Sequence, residues 1–325
     1  MNEHVLITGG AGFIGGYLTR HLIEHNYQVS VVDLEDNHSV NGHSFVGNLL
    51  DTSFFEAVLV QLDSAGNPVD RVIHLAAQVG REFGEDDIRH TIRENAEMTA
   101  VVAKACANHE IPLVYTSTSE IYGDWGEQIC MEDGEWRLPH NLYGLTKRWG
   151  EEVAKLYWPW GLIIWRPSMP YGPGAPPGRG RRAMDNFVWH AQHGREITVH
   201  KGSERSWCYI DDTVRAMRMT IEKAQQDRFM SDIQSHMPKA YNIGRDDDPI
   251  SMLDLAHKIC EKVGADKSLI KVVEPPVMQT TVKRLSTEKI RVLGWRPEVE
   301  LDEGLDHLIE WISDFDADGK HRSLA

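Results

Sequence analysis

The sequence predicts an α/β fold: a doubly wound parallel sheet followed by a smaller C-terminal α/β part. Three observations predict it. Short apolar runs alternate with helix-spaced stretches through the first half, a glycine triplet sits between the first run and the first helix, and the texture changes after Arg166. Strands covered on both faces read as continuous apolar runs, and the helices between them make the crossovers of a parallel sheet. In order, Val5–Thr8 reads as a strand and Phe13–His25 as a helix, with Phe13, Leu18, Leu22 and Ile23 on one face. Strands follow at Gln28–Asp33 and Val69–Leu75, then a helix at Asp86–Asn108 and a strand at Ile111–Ser117. Leu142–Trp158 is helical up to Pro159, and Leu162–Arg166 is strand-like again. Pro167–Gly180 holds five prolines and four glycines and reads as loop. Beyond it come an Arg-bearing stretch, a helix at Asp211–Lys223 and a strand at Ala240–Ile243. A helix capped by Ser251 runs to about Val263, and a last one spans Asp302–Phe315.

Composition narrows the function classes. The 325 residues carry 34 Lys plus Arg against 49 Asp plus Glu, a net charge of −15. That balance argues against nucleic-acid binding, which needs a surplus of cations, and against docking on an anionic membrane. No apolar run approaches the ~20 residues of a membrane span, and Met1–Gly10 enters a strand without a signal-peptide layout. Cys106, Cys130, Cys208 and Cys260 lie far apart with no Cys-x-x-Cys pair, which fits a reducing cytoplasm. An acidic soluble enzyme or binding protein remains.

Gly9, Gly12 and Gly15 fall between the first strand and the first helix. The first suits a tight turn, the second a close approach to a pyrophosphate, and the third close helix–strand packing. The helix N-terminus adds free N–H groups and partial positive charge. Asp33 closes the second strand at the offset expected of an acid on the adenosine ribose; it would repel a 2′-phosphate, so NAD is favoured over NADP. Tyr143 and Lys147 are four apart on a helix and share a face. A nearby ammonium favours a phenolate, whose free pKa is ~10. Val114–Gly123 is a strand end with a hydroxyl-rich turn, where Thr118 or a neighbouring hydroxyl is available to share a substrate proton with Tyr143.

Taken together, Thr8–Gly15, His74-Leu-Ala-Ala77, Ser117-Thr-Ser-Glu-Ile-Tyr-Gly123 and Tyr143-x-x-x-Lys147 resemble the extended short-chain dehydrogenase/reductase family, specifically its nucleotide-sugar epimerases and dehydratases. Tyr171-Gly-Pro173, Arg205–Asp212, Tyr241–Gly244 and Leu293–Pro297 extend the resemblance over nearly the whole chain. It implies a Rossmann-type NAD-binding domain at 1–165, with 206–245 returning to it. Residues 166–205 and 246–325 would form the substrate-binding domain. Tyr143 is implied as the base, Lys147 as its tuner on the nicotinamide ribose, and Thr118 as the partner of the reacting hydroxyl. Beside the cofactor the resemblance places Phe13 and Ile14, Asn48 and Leu49, Leu75, Ala76 and Ala77, and Asn95 and Ser117. Arg205 is implied on the nucleotide diphosphate, and a homodimer is typical of the family.

The outcome after a 4-keto sugar stays open at this point. Epimerisation, as in a UDP-sugar 4-epimerase, needs little beyond the core. Dehydration or decarboxylation of a UDP-glucuronate-like substrate calls for a further acid–base group, for which Glu120 is the candidate. Ser119 stands where hexose 4,6-dehydratases typically carry an aspartic acid, and Gly123–Asn141 lacks the decarboxylases' long insert. Asn48 and Met169 depart from the family's Asp and Asn. A catalytically silent NAD sensor or scaffold is the reading from another class, and retention of Tyr143, Lys147 and Thr118 counts against it. His190, His193 and Asp246–Asp248 show no complete metal-ligand spacing, so no metal is expected. Trp207, next to Arg205, is a candidate for the pocket lining. From Arg166 to Arg215, seven Arg and one Lys face five acids; Arg179, Arg181, Arg182 and Arg205 are the candidates for gripping a diphosphate.

Overall fold

In the first strand, β1 (His4–Thr8), every residue is buried, so the pleat must be covered on both faces. Leu6 belongs to one core and Val5 and Ile7 to another. The same division recurs along β2 (Gln28–Asp33), where Val29 and Val31 face one core and Val32 the other. This computed structural model describes residues 3–37, 43–80, 85–158, 161–178, 182–227, 237–247, 249–276 and 279–321. The sheet continues with β3 (Ser44–Val46), β4 (Arg71–His74), β5 (Leu113–Thr116), β6 (Ile163–Pro167) and β7 (Lys239–Ile243). All seven pair in parallel, in the order 3-2-1-4-5-6-7. The order reverses between β1 and β4, and open α/β sheets bind ligands outside the strand ends at such a reversal.

Helix α1 (Phe13–Glu24) buries Leu18 and Leu22. Helix α2 (Thr52–Ser64) starts at Asp51, whose carboxylate accepts from Ser53 N at 3.0 Å. Helix α3 (Met98–Asn108) follows a short helix at Ile88–Ile92 and a π-turn at Arg93–Glu97. The unbroken helix expected over Asp86–Asn108 is therefore interrupted, with the buried Asn95 inside the wide turn. Helix α4 (Leu142–Tyr157) is capped by Asn141. The Arg-bearing stretch holds α5 (Ala183–Gln192), which apolar spacing did not announce. Then come α6 (Ile210–Asp227), α7 (Met252–Val263), capped as expected by Ser251, and α8 (Leu301–Ser313). Leu305, Leu308 and Ile312 of α8 join the core built on Val5, Ile7 and Trp165, so the C-terminal helices and one sheet face share a single apolar interior. Each such side chain contributes roughly 1.5–3 kcal/mol on burial.

Candidate active site

The loop after β1 is shaped by what its glycines leave out. Gly9 has φ +75°, and a Cβ there would lie 2.5 Å from Ala76 N, so the turn and the loop after β4 both exclude a side chain. At Gly15 a Cβ would meet Gly9 O at 2.1 Å. Gly12 is less confined: a Cβ there would press on Gly9 O alone, at 3.3 Å, and the residue is exposed. Gly12 caps α1 without a side-chain bond, and the first turn, with half-buried Phe13 and Ile14, carries no acid. Its N–H donors and partial positive charge therefore stay available to an anion. Asp33 accepts from Ala11 N at 2.8 Å and Leu34 N at 2.7 Å, tying the carboxyl end of β2 to this loop. Asn37, which sequence reasoning passed over, donates to Gly10 O at 2.7 Å.

Around this cradle, Leu75 and Ala76 donate to Thr8 O, each at 3.0 Å, and Ala77 follows half-buried. Asn48 is exposed and accepts from Leu50 N at 2.9 Å, while the Leu49 side chain is sunk in the core. The Ser117 hydroxyl is buried with no partner among the described residues. An uncapped helix start, an exposed glycine at that start, an acid at the end of β2 and an orphaned buried hydroxyl together fit a dinucleotide. Asn95 is placed differently. Fully buried, it donates to Gln78 O (3.1 Å) and Thr146 Oγ1 (3.0 Å) and accepts from Gln78 N (2.8 Å), so it ties the β4 loop to α4.

The reacting groups converge from β5 and α4. Burial pushes the Tyr143 phenol up to about 12, and the nearby Thr118 hydroxyl works against that rise. Lys147, 2 % exposed, is held down to about 7 by burial, against the pull of the Glu151 carboxylate. Its Nζ lies 4.4 Å from the centroid of the Tyr115 ring, and the Tyr115 hydroxyl donates to Lys147 O at 3.1 Å. Ser119 donates to Ser168 Oγ at 3.2 Å. Glu120 receives Lys283 Nζ at 2.5 Å and Asn141 Nδ2 at 3.0 Å. Burial opposes its charge, but Lys283, Arg205 and Asn141 outweigh that and hold the carboxyl at about 2.

The family model described as the NAD dependent epimerase/dehydratase family matches residues 5–244. The chain belongs to this family. Among relatives of this epimerase/dehydratase chain is the dTDP-D-glucose 4,6-dehydratase of Bos taurus, 26% identical over 95% of this chain and 88% of that one. A trifunctional UDP-glucose 4,6-dehydratase/3,5-epimerase/reductase of Arabidopsis thaliana is 27% identical over 95% of this chain; there the chain spans about half of the relative, 47%. In fold it is similar to the UDP-glucose 4-epimerase of Thermus thermophilus solved with NAD, with a TM-score of 0.79 at 22% identity, covering 95% of this chain and 99% of that one. NAD is the cofactor of the family, and the uncapped α1 start beside Asp33 has the chemistry such a group needs.

Several expectations for this family member's substrate residues need correcting. Trp207 is 3% exposed and packs edge-on to Tyr171 at 6.1 Å, so it belongs to the apolar core. Arg182 is spent on Asp185 Oδ2 (2.6 Å), Pro170 O (3.3 Å) and Gly172 O (3.0 Å), with its guanidinium 3.8 Å over the Phe13 ring. Arg179 and Arg181 lie outside the described residues. The basic strip is therefore no single surface: Arg166 is locked to Glu151, and Arg215 to Asp212. Arg205 binds the carbonyls of Thr280 (2.6 Å), Thr281 and Glu204, yet its charge still reaches Glu120. Met169 takes φ +48° and accepts from Cys208 N at 3.2 Å. Lys283 was missed altogether, because no motif or periodicity marks a lone lysine in a loop. Among the described residues no group of three His, Cys, Asp or Glu could hold a metal, and no helix is long and apolar enough to cross a membrane.

Proposed function

We propose that the chain interconverts nucleotide-linked sugars by transient oxidation at C4, most simply as a UDP-sugar 4-epimerase. Tyr143 takes the proton of the C4 hydroxyl, with Thr118 holding that oxygen, and returns it after the keto sugar has presented its other face. NAD, when bound, supplies a reversible hydride acceptor whose positive charge favours the phenolate that burial opposes. The observation that carries the choice of epimerisation is the Glu120 ion pair. A carboxylate held at about 2 by Lys283 has no proton to give at neutral pH, and Ser119 is no acid either. Loss of a hydroxyl group requires that proton. A second reading, a decarboxylase or 4,6-dehydratase, is favoured by the ionised state of Glu120, which suits a base beside Tyr143 rather than an acid. A silent NAD sensor is disfavoured because the Thr118 hydroxyl acts on Tyr143 and Lys147 lies one turn along the same helix face.

In this proposal residues 166–205 and 246–325 bind the sugar nucleotide, and Arg205 is the side chain there that meets the diphosphate. A homodimer is consistent with Trp149 and Leu156 on α4, which are 45% and 76% exposed. A cytoplasmic setting suits four buried free cysteines. The test is NMR of product after incubation with NAD and UDP-glucose, UDP-galactose, UDP-glucuronate or dTDP-glucose. Interconversion of glucose and galactose forms, or of the uronates, supports epimerisation; loss of CO2 or a stable 4-keto-6-deoxy sugar assigns the second reading. No turnover of any sugar, with Tyr143→Phe indistinguishable from the parent, would overturn the enzyme reading.

A further inference from the structure

Three side chains remote in sequence meet at the start of the helix that carries Tyr143. Lys283 comes from the segment before the short strand Arg284–Leu285, Glu120 from the 3-10 turn after β5, and Asn141 from the cap of α4. Lys283 Nζ donates to Glu120 Oε1 at 2.5 Å, Asn141 Nδ2 to Glu120 Oε2 at 3.0 Å, and Gly144 N to Asn141 Oδ1 at 2.7 Å. The Lys283 side chain is 3% exposed and that of Glu120 29%. Next to them, Leu142 N donates to Glu85 Oε1 at 2.9 Å.

The order of donors and acceptors along this chain is forced. An asparagine amide caps a helix only with its oxygen turned to the free N–H groups. An amide can flip, and what fixes it is a neighbour able to use only one of its two ends. An ionised carboxylate only accepts, so Glu120 takes Nδ2 and leaves Oδ1 for Gly144. Ionisation in this half-buried place needs a counter-charge, and Lys283 provides it, with Arg205 behind. We propose that Lys283 is a positioning residue for the reaction. Through Glu120 and Asn141 it sets the first turn of α4, and with it the Tyr143 phenol, so that the C-terminal part of the chain governs proton transfer it does not itself perform. This rests on Tyr143 being the base, and it gives Glu120 a role distinct from acid–base catalysis.

The test compares Lys283→Met, Lys283→Arg and Glu120→Gln with the parent protein. Amide hydrogen exchange over residues 142–147 is read against that of β1, which lies outside the relay. In Lys283→Met the α4 start should exchange about tenfold faster, as expected for a lost cap, while β1 is unchanged and Lys283→Arg restores the parent rate. Glu120→Gln has the parent shape and keeps the fold testable. Its NH2 group opposite Asn141 should flip that amide and speed exchange by a similar factor. With a UDP-sugar that turns over, Lys283→Met should lower kcat about tenfold at constant KM and move the acid limb of the kcat–pH profile upward. Unchanged exchange at the α4 start in both Lys283→Met and Glu120→Gln overturns the proposal, as does a rise in KM alone, which would make Lys283 a substrate contact. Exchange needs no substrate, so failure of the sugar reading and failure of the relay are separate results.

Discussion

Lys147 shows how one residue carries both stability and reactivity. Its ammonium is buried over the Tyr115 ring and held down to about 7, whereas an unfolded chain keeps such a group near 10.5. Between those values the unfolded state binds more protons, so this group makes stability rise with pH from about 7 to 10.5. Urea midpoints of Lys147→Met should lack that rise, and a slope equal to the parent's would place the effect elsewhere. Glu120 works in the opposite pH range. Its carboxyl is held at about 2, so its contribution is fully present above the usual 4.5 and is lost as pH falls through about 2; in Glu120→Gln the midpoint should be flatter across that interval. Asp33 bears on the choice of cofactor. Replaced by Arg, it trades an acid beside the α1 loop for a cation, and measured cofactor preference should move toward NADP. An unmoved preference would take Asp33 out of the ribose site.

At the scale of elements, the crossing of α4 on β5 decides how close Lys147 sits to Tyr115. Gly150 is the contact: a Cβ there would fall 2.0 Å from the Tyr115 hydroxyl oxygen. Gly150→Ala should therefore force the helix off the strand and cost about 1–3 kcal/mol in a denaturation experiment. Retained stability would mean that the Tyr115 ring can swing aside. Six of the sheet strands, α1, α4 and α7 were legible in the sequence because each has an unmixed signal: an apolar run, a glycine start or a capping side chain; the three-residue edge strand β3, with no fully buried residue, was not. Helices α2 and α5 were not, although Asp51 caps α2 in the ordinary way. The wide turn at Arg93–Glu97 was also hidden; the Asn95 amide inside it reaches Gln78 and Thr146 across 17 and 51 residues, contacts no local pattern marks. The site divides in the same manner. Tyr143, Lys147, Thr118 and the glycines are local patterns, whereas Lys283 earns its place only through a partner 163 residues away. Trp207 was misjudged because nearness to Arg205 in sequence says nothing about which face of the chain is turned inward.

Across the whole molecule, a buried polar network joins the sheet to the C-terminal segments behind α4. Arg166 pairs with Glu151 through two bonds of 2.9 and 2.8 Å and donates to the Tyr122 hydroxyl and Glu132 O, both at 2.9 Å. Tyr122 donates in turn to Asn242 Oδ1 at 2.7 Å, and Asn242 Nδ2 to Ser286 O at 2.9 Å. Arg166→Met leaves the Glu151 carboxylate, 0% exposed, without its counter-ion and should cost about 3–5 kcal/mol. A loss below about 1 kcal/mol in urea titration would show that Glu151 finds another partner. Asn242 stands on β7, which pairs with β6 although residues 168–238 lie between them. On the ribosome this separation becomes time: at roughly 5–20 residues per second, β6 waits several seconds for its neighbour. Throughout that wait Ile163, Ile164 and Trp165 form the open margin of a half-made sheet, and such margins recruit other chains. The yield of native protein in a cell is thus set partly by how well that margin is shielded during synthesis.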